Sequence, residues 1–285
     1  MTKIKEYINL MRVRQWYKNI VVFLALFFVG SVARPEWLYF TIVGFFSLSF
    51  MSSVGYIIND IIDLKADQLH PEKKCRPLAA GKIRKASAVL LMILLFAISL
   101  FLAQMLGRNF LYAVLSLFVL TQLYSFFFKK ILFADILIIA ILFVIRSISG
   151  VYIINVEITI WLILCPFFLS LFLSTGKRRS DLTLLKENAS QTKKVLKDYT
   201  IELTNYLLII STTLFIISYT FYCFLSAHKN LIYTLPFALF VIFRYFYLIN
   251  SGSIIARHPE KIFQDKNIVV GILLWIVSTI IILYL

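Results

Sequence analysis

The chain carries the segment Asn59-Asp60-Ile61-Ile62-Asp63-Leu64-Lys65-Ala66-Asp67 directly after a long apolar run. If the helix of that run continues through the segment, its amide and carboxylates share one face, because residues three and four positions apart are neighbours on a helix. Acids at the carboxyl end of a helix repel one another and meet the negative end of the helix dipole. The segment therefore predicts a cation held by Asn59, Asp60, Asp63 and Asp67.

The chemistry of these side chains indicates which cation this is. Hard oxygen ligands favour Mg²⁺, which keeps several waters and binds through a few carboxylates together with phosphate oxygens. A basic stretch follows at once and reads His70-Pro71-Glu72-Lys73-Lys74-Cys75-Arg76-Pro77. Carboxylates followed by cations predict a metal–diphosphate site at the end of the apolar run.

The composition of the chain is that of a membrane protein. Hydrophobic residues make up 61% of the 285 residues, and the mean hydropathy is +0.88. Apolar runs recur at lengths that can cross a hydrocarbon core of roughly 30 Å as helices. They lack the period of two that is typical of a membrane barrel. We predict nine spans, at about 16–33, 37–58, 86–106, 109–128, 131–154, 158–175, 204–226, 230–249 and 268–285.

The net charge of +15 is distributed according to these spans. All but four of the 29 lysines and arginines lie on one side, before or at the start of the first span, in alternate connections, or near the ends of spans that face that side. The exceptions are Arg34, Arg108 and Lys229 on the other side, and Arg146 inside the fifth span. The positive-inside rule then places the N-terminus in the cytoplasm and the C-terminus outside. Nucleic acid is disfavoured as a partner, because the basic residues follow topology and form no single stripe.

Two long connections lie on the predicted cytoplasmic side, at about 59–85 and 176–203. The first contains the acidic segment, and the second begins with Lys177, Arg178 and Arg179 followed by Asp181. We expect one all-α domain over 1–285, with nine transmembrane helices around a central cavity and these two loops as its cap. The protein is expected in the inner or plasma membrane with its active site facing the cytoplasm, and a homo-oligomer is compatible with the sequence.

Several motifs together resemble a known family. The Asn-Asp-x-x-Asp-x-x-x-Asp segment after the second of nine spans is similar to the first aspartate-rich motif of the UbiA superfamily of intramembrane prenyltransferases. The pattern resembles most the decaprenyl-phosphate phosphoribosyltransferases of that superfamily, over essentially the whole chain. The residues that carry this resemblance are Arg14-Gln15-Trp16-Tyr17-Lys18-Asn19, the stretch from Asp67 through His70, Pro71, Lys73, Arg76, Pro77, Leu78 and Ala79 to Gly81, Arg146, and Lys177-Arg178-x-x-Asp181.

The resemblance implies transfer of 5-phosphoribose from phosphoribosyl diphosphate to a polyprenyl phosphate, with release of diphosphate. The second loop departs from the wider superfamily, which has a second aspartate-rich motif where this chain has three cations and one acid. Such a loop suits direct binding of phosphate. The phosphoribosyltransferase branch characteristically has Glu at the position of Asp181, so the contact of this shorter acid is left open.

Charge considerations assign expected roles to these residues. Cleaving the C1–O bond of phosphoribosyl diphosphate develops negative charge on the leaving diphosphate, which Mg²⁺ on Asp60, Asp63 and Asp67 would stabilise. Cations near the diphosphate or the 5-phosphate, and polar groups near the acceptor, are the expected substrate-binding residues. They are Lys18, Asn19, Asn59, His70, Lys73, Arg76, Arg146, Lys177, Arg178 and Asp181.

Alternatives remain open at this point. A prenyltransferase would use an isoprenoid diphosphate with an aromatic or glycerophosphate acceptor, and the cationic second loop is the feature that argues against it. A transporter or flippase of an anionic lipid would need charges at mid-membrane in broken helices, for which Arg146 alone is thin support. Asp135 is either a helix cap or a site residue. Trp16 and Tyr17 are either site residues or part of an interfacial aromatic belt.

Overall fold

The computed structural model describes residues 3–29, 34–69, 73–185 and 194–284, and every regular element among them is helical. The α-helices, numbered here in chain order, are α1 Lys3–Leu10, α2 Leu24–Phe28, α3 Pro35–Ile62, α4 Leu64–Leu69, α5 Lys85–Met105, α6 Arg108–Phe126, α7 Ala134–Ile154, α8 Trp161–Leu185, α9 Ile201–Leu225, α10 Leu235–Asn250, α11 Ile254–Arg257 and α12 Lys266–Tyr284. Short 3₁₀-helices connect several of them. The predicted all-α class is confirmed.

The chain forms two compact units. The first comprises Met1–Ser125 and Ile145–Glu157, and the second comprises Phe126–Val144 and Ile158–Leu285. Within the described residues, seven helical stretches are long and apolar enough to cross a membrane. They are Pro35–Ile62, Lys85–Met105, Arg108–Lys130, Ala134–Ile154, Ile201–Leu225, Lys229–Asn250 and Lys266–Tyr284.

The predicted first span, 16–33, differs from the single helix that we expected. Residues Val13–Phe23 form a 3₁₀-helix and only Leu24–Phe28 are α-helical, while 30–33 lie outside the described residues. A 3₁₀-helix has three residues per turn, so Trp16, Asn19 and Val22 are aligned on one face. Trp16 donates to Ser53 Oγ at 3.0 Å and Asn19 donates to Ser49 Oγ at 3.0 Å, both on α3. These tertiary hydrogen bonds explain the tighter winding, which the apolar content of the segment does not predict.

The predicted second cytoplasmic loop, 176–203, begins later than expected. Helix α8 continues to Leu185 without a break at Gly176. A Cβ at Gly176 would lie 2.7 Å from Ile249 Cδ1, so this glycine serves close packing rather than helix termination. The cations and the acid of the predicted loop motif are therefore helical, which corrects our expectation for this segment.

The first unit is built around close contacts between α3 and α5. Ser47 Oγ donates to the carbonyl of Ser99 at 2.9 Å, and Ser99 Oγ donates to the carbonyl of Ser47 at 2.8 Å. All four atoms belong to small, fully buried residues, which allow two backbones to approach as they do in membrane helix pairs. This crossing anchors the helix whose carboxyl end bears the acidic segment.

The second unit has an apolar core around Phe172, Leu208, Tyr245 and Ile249, contributed by α8, α9 and α10. The rings of Phe172 and Tyr245 pack edge to face with centroids 5.6 Å apart. This packing fixes α8, whose C-terminal part carries the charged residues, against α10 within the unit.

Helix α12 begins at a buried acid. Asp265 accepts from the backbone N–H of Ile268 at 3.0 Å and pairs with Arg244 Nη2 at 2.9 Å. The Arg244 hydrogen bonds lower the pKa of Asp265, so this carboxylate remains charged at neutral pH. The pair stabilises the first turn of α12.

Gly150 of α7 tests the close packing of the 3₁₀-helix. A Cβ at Gly150 would collide with the backbone carbonyl of Val22, which cannot move as a side chain can. We expect Gly150→Ala to lower the free energy of unfolding by about 1–3 kcal/mol despite the better helix propensity of alanine. Denaturant titration in detergent measures this. Gly55→Ala is the matched control, since its Cβ would meet two side chains, the Gln122 amide nitrogen at 3.1 Å and Thr121 Cγ2 at 3.7 Å, rather than backbone; an equal loss there would contradict the packing argument.

Candidate active site

The acidic segment changes direction at Asp63. Helix α3 ends at Ile62, and α4 begins at Leu64, so the continuous helix that we predicted is interrupted by one residue. The backbone hydrogen bonds nevertheless continue across the break, because Asp63 N–H donates to Asn59 O at 2.9 Å and Asp67 N–H donates to Asp63 O at 2.8 Å. Asp60 and Asp67 therefore still lie about two helical turns apart along the chain.

Asp60 and Asp67 are brought together by one guanidinium group. Arg76 Nη1 lies 3.1 Å from Asp60 Oδ1 and 2.5 Å from Asp67 Oδ2. The two carboxylates therefore share one nitrogen atom as their partner, which places them close together. Each carboxylate is only 2% exposed. Burying two acids this close together is strongly unfavourable without positive charge between them. The expected convergence of these two carboxylates on a cation is therefore present, with Arg76 as the cation.

Arg12 is a second cation of this cluster, and our sequence analysis did not select it. Its Nη2 atom lies 2.5 Å from Asp60 Oδ1, and its guanidinium lies 4.8 Å from the centre of the Tyr56 ring. Arg12 has a positive φ of 51°, at a point where the chain turns into the 3₁₀-helix. A non-glycine residue in this conformation costs about 1–3 kcal/mol and persists where surrounding contacts hold it. The sequence signal was weak, since Arg12 is one of many basic residues near the N-terminus.

The other members of the predicted metal set occupy different surroundings. Asn59 donates from its amide nitrogen to Ser125 Oγ at 2.9 Å, so its role includes fixing α3 to α6. Asp63 is half-buried at the break between α3 and α4. Lys73 Nζ lies 3.9 Å from Asp67 Oδ1, and its side chain is 40% exposed. His70 lies outside the described residues.

Mg²⁺ was expected at this cluster, and the donor chemistry fits it. Asp60 and Asp67 supply hard, buried oxygen ligands on either side of Arg76 Nη1. No group of three or more metal-binding side chains has metal-site geometry in the described ranges. The arginines satisfy the acids in this arrangement, so metal binding would require the guanidinium groups to shift.

A second group of predicted residues meets inside the first unit. Arg146 is 7% exposed, and its Nε donates to Asn19 Oδ1 at 2.8 Å. Asn19 is 1% exposed and donates in turn to Ser49 Oγ. The amide of Asn19 thus links a buried cation on α7 to α3. Two residues far apart in sequence, both predicted to bind substrate, are in direct contact.

The second unit contains a buried charged network around Asp135. The carboxylate is fully buried and accepts from Arg178 Nε at 2.7 Å and from Tyr199 OH at 2.7 Å. Burial and the bond to Asp135 raise the pKa of Tyr199, so its hydroxyl stays protonated. Asp135 is therefore more than a helix cap, and Tyr199 is a network member that our sequence analysis did not select.

Asp181 extends this network. Its carboxylate is 2% exposed, accepts from Arg257 Nε at 3.1 Å, and lies 3.9 Å from Arg178 Nη1. Arg178 is 5% exposed and was predicted to bind phosphate from a loop. It instead lies between two acids on a helix, with Arg257 as a further cation that the sequence did not reveal.

The remaining predicted residues are more accessible. Lys18 is half-buried, with its Nζ 6.0 Å from the centre of the Tyr17 ring. Lys177 is half-buried on α8, one residue before Arg178. Trp16 packs against Phe50 with ring centroids 5.7 Å apart and bonds to Ser53, so it is a packed residue rather than only an interfacial one.

The Asp135 network can be tested by comparing two substitutions. Asp135→Asn removes the carboxylate that pairs with the buried Arg178 at 2.7 Å, and we expect a loss of about 3–5 kcal/mol in the free energy of unfolding. Tyr199→Phe removes one hydrogen bond to a charged group and should cost about 1.5–3 kcal/mol. Denaturant titration of both variants in detergent gives the comparison. A Tyr199→Phe loss equal to or larger than that of Asp135→Asn would show that the ion pair is not the dominant interaction.

Comparison with known proteins identifies relatives over nearly the whole chain. The chain is 32% identical to the decaprenyl-phosphate phosphoribosyltransferase of Mycolicibacterium smegmatis, over 94% of this chain and 89% of that protein. It is 28% identical to the protein of the same name from Corynebacterium glutamicum, over 98% of this chain and 86% of that protein.

The fold has a solved counterpart. A UbiA homologue from Archaeoglobus fulgidus, solved with GPP and Mg²⁺ bound, superposes with a TM-score of 0.74 at 20% identity, covering 98% of this chain and 99% of that chain. The sequence model of the UbiA prenyltransferase family matches residues 19–264, which include most of both compact units. The chain is therefore an enzyme of the UbiA prenyltransferase family.

Proposed function

We propose that this enzyme transfers 5-phosphoribose from phosphoribosyl diphosphate to a polyprenyl phosphate of the decaprenyl-phosphate type, with Mg²⁺ as cofactor and diphosphate as the leaving group. The observation that carries the proposal is the buried pair Asp60 and Asp67 held by Arg12 and Arg76. The near full-length similarity to proteins named decaprenyl-phosphate phosphoribosyltransferase supports this substrate class over others in the family.

The carboxylates are the proposed metal ligands. Asp60 and Asp67, with Asp63 beside them, would hold Mg²⁺, and Asn59 would supply an amide oxygen while its nitrogen bonds Ser125. When bound, Mg²⁺ supplies positive charge to the diphosphate oxygens. Burial of the two acids keeps their environment low in dielectric, which strengthens their interaction with any cation placed between them.

The basic side chains of the cluster are the proposed diphosphate ligands. Arg12 and Arg76 already donate to carboxylate oxygens, and the same N–H groups fit phosphate oxygens equally well. Lys73, at 3.9 Å from Asp67, is flexible and accessible enough to reach a phosphate group of the substrate. His70 is proposed for the same region from its position in the sequence. These donors stabilise the negative charge that develops on the leaving group.

The acceptor needs to be positioned rather than deprotonated, since a polyprenyl phosphate is already an anion. Arg146 is the proposed anchor for its phosphate, because a cation buried within a predicted span is costly unless it pairs or serves a site. Asn19 orients its guanidinium through the 2.8 Å bond. Lys18, Lys177, Arg178 and Asp181 remain proposed substrate-binding residues.

The Asp135 contact gives Arg178 a particular role in this proposal. Its Nε is used by Asp135, so phosphate recognition would fall to the other guanidinium nitrogens or to the neighbouring Lys177. Asp135 and Tyr199 then serve as positioning residues for α8. The placement of these cations on a helix makes their spacing rigid, which suits recognition of a fixed phosphate geometry better than a loop would.

The membrane arrangement that we propose has nine spans, with the N-terminus and the active site cytoplasmic and the C-terminus outside. Seven of these spans correspond to apolar helices that are long enough. The other two correspond to Val13–Phe28 and to the apolar first part of α8. The family match across both compact units supports treating 1–285 as one catalytic domain in the inner or plasma membrane.

The proposed reaction predicts a metal-dependent activity that Asp67→Asn removes. Purified protein should form labelled lipid from phosphoribosyl diphosphate and decaprenyl phosphate only with Mg²⁺. Losing one carboxylate of the cluster should reduce kcat/KM by about 10²–10³-fold, the range found for single electrostatic groups. Asp198→Asn is the matched control, an exposed acid outside the cluster whose variant should retain wild-type activity.

The choice of substrates distinguishes this proposal from the other activity considered. Turnover with an isoprenoid diphosphate and an aromatic or glycerophosphate acceptor, without turnover of phosphoribosyl diphosphate, would assign the enzyme to the prenyltransferases instead. Lipid product in the absence of divalent cation would contradict the metal role of the acidic segment.

A further inference from the structure

A cavity of about 780 Å³ lies in the first unit, and none of its lining residues belongs to the candidate active site. One wall is helix α1, and the other is the turn that leads into α5. The lining residues are Lys3, Glu6, Tyr7, Lys82, Ile83, Arg84 and Ser87. Cavities of this size hold small-molecule ligands and lipid headgroups.

The cavity is positively charged. Glu6 is its only acid among the lining residues, is 7% exposed, and is bound by Lys82 Nζ at 3.0 Å. That pair fixes α1 against the turn and neutralises one cation. Lys3 and Arg84 have no acidic partner within the described part of the chain. Two cations therefore remain available to an anion inside the cavity.

The turn that carries Lys82 and Arg84 is rigid. The N–H groups of Lys82 and Ile83 donate to the carbonyl of Pro77 at 3.0 and 3.3 Å, and Gly81 adopts a positive φ of 69°. Ile83 is 6% exposed, so it anchors the turn in the apolar interior. Lys82 and Arg84, on either side of Ile83, are thereby held at the cavity rather than at the ends of a mobile loop.

Uncharged donors complete the cavity. Arg84 precedes the first residue of α5 and provides no side-chain cap, so the first N–H groups of this helix are available to a ligand. Ser87, in the first turn of α5, and Tyr7 add hydroxyl groups to the lining. Hydroxyls, backbone amides and two free cations are the donor set that phosphate groups bind.

Helix α1 indicates where the ligand comes from. Ile4 is 71% exposed and Ile8 is 45% exposed, although the helix also bears Lys3 and Lys5. A short helix that exposes both apolar side chains and lysines is typical of a segment that lies in the membrane interface. The cavity beside it would then open at the depth of lipid phosphates.

We propose that this cavity binds the phosphate of an anionic lipid headgroup, at a site separate from the substrates. Lys3 and Arg84 would contact the phosphate oxygens, and Ser87 and the first N–H groups of α5 would complete the site. The bound headgroup bridges α1 to the Pro77–Arg84 turn. Arg12 follows α1 and Arg76 precedes this turn, so the lipid joins the two segments that supply the arginines of the carboxylate cluster.

Native mass spectrometry of the detergent-purified protein tests this proposal. Wild type should retain added phosphatidylglycerol and not phosphatidylcholine. The double variant Lys3→Gln/Arg84→Gln should bind phosphatidylglycerol at least about tenfold more weakly, which corresponds to about 1.4 kcal/mol for the two lost charged contacts together. The matched control is Lys129→Gln/Lys130→Gln, which removes two exposed cations from a stretch that does not line the cavity. This control should bind like wild type.

Further measurements separate the possible outcomes. Lys3→Arg/Arg84→Lys keeps the charges and should keep binding, which shows that the charges and not the particular side chains are required. Thermal unfolding of the glutamine variant at the wild-type temperature shows that its loss of binding is not a folding defect. Displacement of phosphatidylglycerol by millimolar inorganic phosphate would identify a site for free phosphate, and resistance to it would identify a lipid headgroup. Retention of phosphatidylglycerol by the glutamine variant, or an equal loss in the Lys129/Lys130 control, would overturn the proposal. The binding readout does not depend on the enzyme's activity, so its failure is distinct from failure of the proposed reaction.

Discussion

The arrangement of the first unit depends on the neutralisation of two buried carboxylates. Asp60 and Asp67 are almost fully buried. A buried negative charge without a compensating partner costs several kcal/mol. Arg12 and Arg76 compensate them from two different segments, one directly before the 3₁₀-helix Val13–Phe23 and one after α4. The charge requirement thus draws the N-terminal segment and the stretch around Arg76 onto the carboxyl end of α3.

Small residues make this arrangement sterically possible. Ser47 and Ser99 let α3 and α5 exchange hydrogen bonds, and Gly150 leaves room for the carbonyl of Val22. The 3₁₀-helix that contains Val22 also presents Asn19 to Arg146. The close backbone contact at Gly150 and the hydrogen bond between Asn19 and Arg146 therefore depend on each other. A bulkier residue at position 150 would push the 3₁₀-helix away and move the Asn19 amide away from the Arg146 guanidinium.

The second unit solves a similar problem with different residues. Asp135 is fully buried, and Arg178 and Tyr199 supply the donors that it needs. Asp181 and Arg257 repeat the pattern one turn along α8. Both units therefore bury the acids of their acid–arginine pairs. Electrostatic interactions are stronger in the protein interior than in water, so exact pairing matters more there than at an exposed surface.

The sequence by itself determined the helical class, most of the membrane spans and the identity of the family, because long apolar runs and local motifs are properties of neighbouring residues. It also identified Asp60, Asp67, Arg76, Arg146 and Asn19 as candidates, since each stands in a motif or at an unusually apolar position. Only the tertiary structure decided which of them meet. Arg12, Tyr199 and Arg257 carry no local signal that separates them from other basic or aromatic residues, and their partners are 48, 64 and 76 positions away in the chain. The 3₁₀ winding of Val13–Phe23 and the helical form of Lys177–Asp181 were missed for the same reason: contacts with distant helices, rather than local propensity, select those conformations.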